Sequence, residues 1–187
     1  MGKGISQIAR SREIPGWSLP DREHDRFEIG LEVASRHPGK KCAYIKSIGY
    51  EGSGEDLVNS CGHLNQVCAA DSFLDKRIKM TAWLKADLHP EAVGRLELSA
   101  IGDWGWYCKW NGTFDNMSDR QLTGKTEWKQ YSLVIDVLPG SYSLLFGVFL
   151  IGIGKIWLDE VSIEIVDKDT PLTGLRPHPI NLNFEET

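Results

Sequence analysis

Aromatic residues crowd one short stretch of the chain more densely than any other. Four of them fall within seven positions, and Phe114 follows shortly after. The four are Trp104, Trp106, Tyr107 and Trp110. Aromatic rings offer large apolar faces at a low entropic cost, and such faces stack on sugars and on flat ligands. With two glycines nearby, the stretch predicts a ligand-binding loop, or alternatively a set of rings that cap one open end of a sandwich.

A polar segment follows this aromatic stretch directly. Asp115 and Asn116 carry hydrogen-bonding groups that fit ligand hydroxyls, and Arg120 can pair with Asp115 or with Asp119. We expect Asp115, Asn116 and Arg120 to contribute to a ligand site. The alternative is a turn held by local hydrogen bonds from the aspartate side chains.

Catalytic machinery is hard to assemble from this sequence. A nucleophile elbow, a phosphate-binding loop and a metal-binding helix are all missing. A carboxylic acid that is desolvated between aromatic rings has a raised pKa and can act as a proton donor. If the protein is an enzyme, the candidate acids are Glu97, Asp103 and Asp115. The more ordinary account of Glu97 is a surface pair with Arg95.

The overall composition narrows the classes of partner. The chain has 187 residues, of which 41% are hydrophobic and 25% charged, as is typical of one globular domain. A net charge of −5 and the lack of long basic clusters argue against a nucleic-acid partner. No apolar run reaches the roughly 18 residues of a membrane helix, and no secretory signal is evident. We therefore expect a cytoplasmic protein with no membrane partner.

The four cysteines do not form a metal-binding pattern. They are Cys42, Cys61, Cys68 and Cys108. None belongs to a CxxC pair, and no histidine lies at zinc-finger spacing. We interpret them as small buried hydrophobic residues in a reducing compartment.

Short strands separated by turn signals run along most of the chain, a pattern typical of sandwiches and barrels. The predicted strands are 27–33, 41–47, 63–69, 77–86, 94–101, 129–137, 143–151 and 155–166. Before them lies a flexible N-terminal segment, 1–13, and after them a proline-containing extended tail, 167–187, without a regular partner. The fold prediction is a single all-β domain over 14–166, built from two antiparallel sheets.

Alternation within the strands separates a buried face from an outer face. The residues predicted to point inward are Ile78, Met80, Ala82, Leu84, Leu96, Leu98, Ala100, Leu144, Phe146, Val148 and Leu150. The same alternation leaves Trp83, Phe149 and Ile151 pointing outward. Together they predict an apolar patch that a loop or the N-terminal segment covers, or that binds a partner such as a second copy of the chain.

Three stretches of sequence together resemble a known superfamily. They are FEIGLE with HPGKKCAYIKS; LNQVCAADSFLDKRIKMTAWLKA; and FDNMSDRQLTGKTEWKQYSLVIDV running on into FGVFLIGIGKIWLDEVSIEIV. Their order is similar to the galactose-binding-like jelly-roll superfamily, which includes many carbohydrate-binding modules. It looks closest to a bacterial subgroup with an FDNM-x-DR segment, sometimes labelled as parts of transcriptional regulators. The resemblance covers most of 14–166 and implies a jelly-roll β-sandwich, a fold that hosts many functions.

In that superfamily the ligand lies on the concave face of one sheet or in the loops at one end. The resemblance therefore implies a single binding face that is completed by the aromatic loop around Trp106. The residues of that face are Gln66, Trp83, Glu97, Ser99 and Phe149.

Many members of the superfamily also hold a structural calcium ion, bound by a carboxylate of the last strand and by groups near the first strand. Asp159 and Glu160 match the last-strand part of this pattern. The first-strand part is missing, and a similar string, NFEE at 183–186, occurs at the C-terminus instead. The chain departs from the calcium pattern at this point.

These observations support three hypotheses about function. The leading one is a non-catalytic domain that binds a small ligand, such as a saccharide, on an aromatic-lined concave face without a cofactor. The first alternative is a cofactor-independent cyclase or isomerase of a natural-product pathway, which would use the same pocket and one carboxylic acid. The second alternative is an interaction or sensory module of a regulatory protein.

Overall fold

The computed structural model describes residues 14–20, 25–34, 36–48, 60–104 and 110–174. Within these ranges the chain forms ten strands and one short 3₁₀ turn at Asp71–Phe73. The strands are β1 Phe27–Glu32, β2 Cys42–Ser47, β3 Cys61–Ala69, β4 Arg77–Leu88, β5 Val93–Trp104, β6 Trp110–Asp115, β7 Leu122–Thr123, β8 Lys125–Asp136, β9 Ser141–Ile151 and β10 Gly154–Val166. No helix of the described ranges is long and apolar enough to cross a membrane.

The strands form two antiparallel sheets that face each other across the core. The first, five-stranded sheet has the order β1-β2-β10-β4-β8. The second has the order β3-β9-β5-β6, and the short β7 also pairs with β5. The first strand, β1, and the last strand, β10, both belong to the five-stranded sheet, where they flank β2. The prediction of an all-β sandwich of two antiparallel sheets is confirmed.

Period-two alternation builds the core between the sheets. In β4 every second residue from Ile78 to Leu88 is buried, and the residues between them face outward or are only partly covered. All of the residues predicted to point inward are buried, and Phe146 is the most exposed of them at 8%. Removing such side chains from water is the main favourable contribution to folding.

A glycine lets the strands of the second sheet approach each other closely. Gly147 of β9 lies opposite Asn65 of β3. A Cβ atom at Gly147 would lie 2.1 Å from the Leu64 carbonyl oxygen and 2.7 Å from the Asn65 Cα. No side chain fits there, so this position requires glycine.

A β-bulge interrupts β10 where its pairing with β2 ends. The β2 partners run only as far as Leu158, and the register with β4 shifts between Asp159 and Ser162. Within the bulge Glu160 has a φ of 50°, in the left-handed region that is unusual for a residue with a side chain. The bulge redirects the end of β10 and lines a cleft between the two sheets.

Two parts of the chain differ from the sequence prediction, namely the region that follows β5 and the tail that follows β10. The prediction placed no strand between 101 and 129, whereas β5 continues to Trp104 and is followed by β6 and by the short β7. The tail after β10 also has a regular partner in its described part. Thr173 donates its backbone N–H to the Val134 carbonyl at 3.0 Å, and its hydroxyl accepts the Val134 N–H at 2.6 Å. The tail therefore docks on the outer edge of β8.

Candidate ligand-binding site

Three aromatic rings share the outer face of the five-stranded sheet. Tyr44 on β2 lies directly opposite Trp157 on β10, and Trp83 on β4 lies opposite Asp159, two residues further along β10. Because residues two apart on a strand point to the same side, all three rings face away from the core. All three are half-buried. We call this surface the aromatic face.

One carboxylate holds the Tyr44–Trp157 half of the aromatic face in place. Glu32 accepts a hydrogen bond from the Trp157 indole N–H at 2.5 Å. It also forms an ion pair with the Lys155 ammonium at 2.5 Å. The same ammonium lies 4.0 Å from the centre of the Tyr44 ring and 4.7 Å from that of Trp157. Burial alone would raise the pKa of Glu32, but the hydrogen bonds from Lys155 and Trp157 outweigh it and lower that pKa.

The third ring is held by the connection between β1 and β2. The Arg36 guanidinium lies 3.7 Å from the centre of the Trp83 ring, a cation–π contact. Arg36 also pairs with Glu160 at 2.7 Å, and His37 contacts the other Glu160 oxygen at 2.6 Å. The hydrogen bond from His37, together with that from Arg36, lowers the pKa of Glu160 against the effect of burial. The bulge of β10 is thereby tied to the same face.

A hollow of about 330 Å³ adjoins the Trp157 ring at one end of the aromatic face. Lys46 and Asp87 lie on its walls, and Ile153 adds an exposed apolar side chain. An ammonium, a carboxylate and an aromatic ring around one concavity can hold a polar ligand that also has an apolar side.

The single binding face implied by the resemblance does not form. Trp83 lies on the outer face of the five-stranded sheet, whereas Glu97, Ser99 and Phe149 lie on that of the second sheet. The Gln66 side chain lies on neither of these outer faces, because it points between the two sheets. The predicted residues are thus divided among three places.

The predicted apolar patch is wrong for the same reason, since Trp83 and the pair Phe149 and Ile151 face opposite sides of the sandwich. Phe149 is also only 7% exposed. The His63 ring lies 5.5 Å from its ring, and the Arg95 guanidinium lies 5.7 Å from its ring centre. Phe149 is therefore covered rather than open to a stacking ligand.

The polar segment after β6 is a turn. Asp115 is only 1% exposed and accepts a hydrogen bond from the Met117 backbone N–H at 2.9 Å. Its other oxygen pairs with Arg120, which also pairs with Asp119 at 2.6 Å. Both carboxylate oxygens of Asp115 are engaged inside the protein, so the expectation that Asp115 and Arg120 bind ligand gives way to the turn alternative. Asn116 is half-buried in the same turn.

The densest aromatic stretch lies largely outside the described residues. Trp104 and Trp110 pair across the β5–β6 hairpin through their backbones. Their side chains and that of Asp103 are not among those described, and Trp106 and Tyr107 lie outside the described ranges. The binding role predicted for these rings stays a prediction.

Two of the three proposed catalytic acids, Asp115 and Glu97, have described side chains. Asp115 is engaged in its turn, and Glu97 lies on the second sheet, away from the aromatic face and its hollow. The enzyme hypothesis, which requires one acid, stays a prediction.

The carboxylates assigned to calcium have other partners. Glu160 is held by Arg36 and His37, and Asp159 accepts the Glu160 backbone N–H at 3.0 Å. Within the described ranges no three His, Cys, Asp or Glu side chains are grouped closely enough to hold a metal ion. The NFEE string at 183–186 lies outside those ranges. A calcium site at this position stays a prediction.

Sequence reasoning missed most of the aromatic face. Tyr44, Trp157, Glu32 and Lys155 were not among the predicted site residues, although the alternation of β2 and β10 places Tyr44 and Trp157 outward. That alternation was the available signal. What it could not show is that strands distant in the sequence bring these rings next to Trp83.

Comparisons with known proteins address both the family and the fold. No protein-family model matches the chain. An uncharacterised helix-turn-helix-type transcriptional regulator of Bacillus subtilis, YbfP, is 33% identical over 183 residues. This alignment covers 94% of the chain but only 58% of the regulator. The chain thus spans a little over half the length of this relative.

Solved structures of carbohydrate-binding modules share the architecture. One is the CBM22-1 domain of Paenibacillus barcinonensis Xyn10C, with a TM-score of 0.52, 11% identity and coverage of 81% of this chain and 86% of that one. Another is the C-terminal family 22 module of Clostridium thermocellum Xyn10B, with a TM-score of 0.54, 10% identity and coverage of 84% and 90%. At such low identity the likeness shows the fold alone. The chain has the β-sandwich fold of these carbohydrate-binding modules, and membership of the FDNM-x-DR subgroup stays a prediction.

Proposed function

We propose that the chain is the ligand-binding domain of a larger regulatory protein, and that its ligand is a saccharide or a similarly hydroxylated small molecule. The observation that carries the proposal is the hollow beside Trp157 on the aromatic face. Its volume of about 330 Å³ suits a small ligand.

The chemistry of this hollow matches that of a sugar. A sugar ring has one apolar C–H face, which stacks on an aromatic ring, and a rim of hydroxyls, which both donate and accept hydrogen bonds. Trp157 supplies the ring, Asp87 an acceptor and Lys46 a donor. Because Glu32 and Lys155 already fix the Trp157 ring, little side-chain entropy is lost on binding.

The regulatory part of the proposal is supported by the relative in Bacillus subtilis. That protein is named as a transcriptional regulator, and the chain is similar to a little over half of it. With a net charge of −5 and an all-β fold, the chain is suited to sense a ligand rather than to contact DNA. The DNA-binding element would then lie in the rest of such a regulator.

Calorimetric titration with xylo-, cello- and malto-oligosaccharides tests the proposal. We expect one of these series to bind, and Trp157→Ala to weaken its binding roughly tenfold, because a stacked ring is removed. Asp87→Asn should weaken it as well, since a charged acceptor is lost. Tyr142→Ala is the matched control, because Tyr142 is an aromatic residue of the other sheet with 52% exposure.

Two outcomes would contradict the proposal. One is that no saccharide binds to the folded protein. The other is that a saccharide binds with equal affinity to the wild type, Trp157→Ala and Asp87→Asn. The second result would move the site away from the aromatic face, and Trp106→Ala would then test the aromatic stretch at 104–110.

A further inference from the structure

We infer that the protein has a second binding site in a cleft between its two sheets, which takes a small, uncharged and mainly apolar molecule with one hydrogen-bonding group. The cleft has a volume of about 480 Å³. It is separate from the aromatic face, which lies on the outside of the five-stranded sheet. Its ligand is therefore of a different chemical class from the saccharide proposed above.

The cleft forms where β10 continues along β4 beyond the end of its pairing with β2. After Leu158, β10 loses β2 as a partner, and the bulge begins. The inner face of β10 nevertheless continues with Val161 and Ile163, which are only partly buried and line the cleft. Apolar side chains on an inner face without full cover form the floor of a pocket.

The opposite wall comes from the second sheet and from the segment that precedes β1. Trp17 and Phe146 meet there edge to face, with ring centres 5.8 Å apart. The segment is anchored to β3, because the Ser18 N–H donates to the Asn65 carbonyl at 2.8 Å and the Asn65 N–H donates to the Ser18 carbonyl at 3.1 Å. Ile14 completes the apolar wall. The two sides together can enclose a flat molecule.

Gln66 is the polar group of the β3 wall. It lies opposite Phe146 in the sheet register and is half-buried. Gly16 packs against it closely, since a Cβ atom at Gly16 would lie 2.8 Å from the Gln66 Nε2. Within the described part of the chain the Gln66 amide forms no hydrogen bond. An amide offers both a donor and an acceptor without a net charge, so it matches a hydroxyl or a carbonyl group.

The charges around the cleft favour an uncharged ligand. Lys41, Asp159 and Glu160 are the charged residues of its lining. Lys41 and Glu160 are exposed, and Glu160 is already paired with Arg36 and His37. Asp159 is half-buried and accepts a hydrogen bond from the Glu160 backbone N–H. The walls near Gln66 are apolar. A charged ligand group beside Gln66 would lose its hydration without gaining a partner of opposite charge. This loss is costly in free energy.

A matched series of naphthalene compounds tests this inference. The probes are naphthol, which has a hydroxyl group, naphthalene, which lacks one, and naphthoate, which is an anion. We expect naphthol to bind most tightly and to shift the indole N–H signal of Trp17 in proton–nitrogen correlation NMR. Gln66→Leu should weaken naphthol binding by about fivefold and leave naphthalene binding unchanged, because only the hydrogen bond is removed.

A cleft-filling variant provides a second, independent measurement. Val161→Trp should abolish naphthol binding, whereas Tyr142→Ala should have no effect. If Val161→Trp fails to fold, the Gln66→Leu comparison and the Trp17 signal still decide the question. The inference is overturned if none of the probes binds saturably, if naphthoate binds most tightly, or if Gln66→Leu affects naphthol and naphthalene equally.

Discussion

Glu32 and Lys155 form an ion pair of 2.5 Å that reaches from β1 to β10 across the intervening strand β2. The second Glu32 oxygen accepts a hydrogen bond from the Trp157 indole N–H. The Glu32 carboxylate therefore holds both the Lys155 ammonium and the Trp157 ring in place. Tyr44, on the strand between them, packs against the same ammonium. Tyr44 and Trp157 are therefore held in place by one ion pair, and the stability of this arrangement depends on the charge of Glu32.

The first prediction concerns acid pH. The pKa of Glu32 is lowered in the folded protein from its ordinary value of 4.5, so its stabilising effect is present above that value and is lost as the pH falls through the lowered folded-state pKa. Glu32→Gln should destabilise the protein by about 0.5–1 kcal/mol at neutral pH, the range for a partly exposed pair. Urea unfolding between about pH 3 and pH 7 measures both effects.

The variant should also lose less stability than the wild type below about pH 4.5, because the titrating group is gone. Glu28→Gln on the same strand is the control, and it should follow the wild-type pH profile. An identical acid dependence of wild type and Glu32→Gln would contradict the role assigned to this ion pair.

The second prediction separates a structural from a ligand-binding role for Asp115. Because this carboxylate is buried and engaged by Met117 and Arg120, Asp115→Ala should cost about 3 kcal/mol or more in unfolding free energy. Asp119→Asn, at a side chain that is 65% exposed, should cost less than about 0.5 kcal/mol. Chemical denaturation gives both values. A stable Asp115→Ala protein with altered saccharide affinity would instead restore the ligand role.

The layers of the fold could be predicted from sequence, but the composition of the site could not. Alternation is a local property, so it correctly marks Met80 and Leu98 as inward and Trp83 and Phe149 as outward. It does not say to which sheet a strand belongs. That depends on pairing between distant strands, which placed Trp83 beside β10 and Phe149 on the other sheet.

Asp115 illustrates a second limit of sequence reasoning. The same residue types form a ligand site or a self-contained turn, and only the burial of the carboxylate and its contact with Arg120 distinguish the two. The aromatic face was missed for a related reason. A dense run such as that around Trp106 is visible in the sequence, whereas Tyr44 and Trp157 become neighbours only through the register of β2 and β10.

The third prediction tests the close approach of β3 and β9. Gly147→Ala should destabilise the protein by at least about 2 kcal/mol, because the new Cβ would overlap the Leu64 carbonyl. Gly39→Ala is the matched control: its φ is +77°, but nothing lies within 4 Å of the added atom. That turn variant should cost about 1 kcal/mol through backbone strain alone. Equal thermal unfolding temperatures for the two variants would show that the strands can separate without cost.

The fourth prediction ranks the thiols by reactivity. Cys42 is 2% exposed, and burial raises the pKa of both Cys42 and Cys68, so both should react slowly with iodoacetamide. Cys61 is half-buried and therefore more accessible than Cys42, and its sulfur lies 3.7 Å from the His63 Nε2. Mass spectrometry of peptides should show Cys61 alkylated on the order of tenfold faster than Cys42.

The role of the histidine in this ranking can be tested by itself. His63→Gln should change the alkylation rate of Cys61, because the His63 ring contacts its sulfur. It should leave that of Cys68 unchanged, because Cys68 lies further along β3, on its opposite face. The interpretation of the cysteines as small buried residues would then hold for Cys42 and be incomplete for Cys61. Fastest labelling of Cys42 would contradict the ranking. Since Cys42 lines the cleft between the sheets, that result would also mean that the cleft opens to solvent more widely than its geometry indicates.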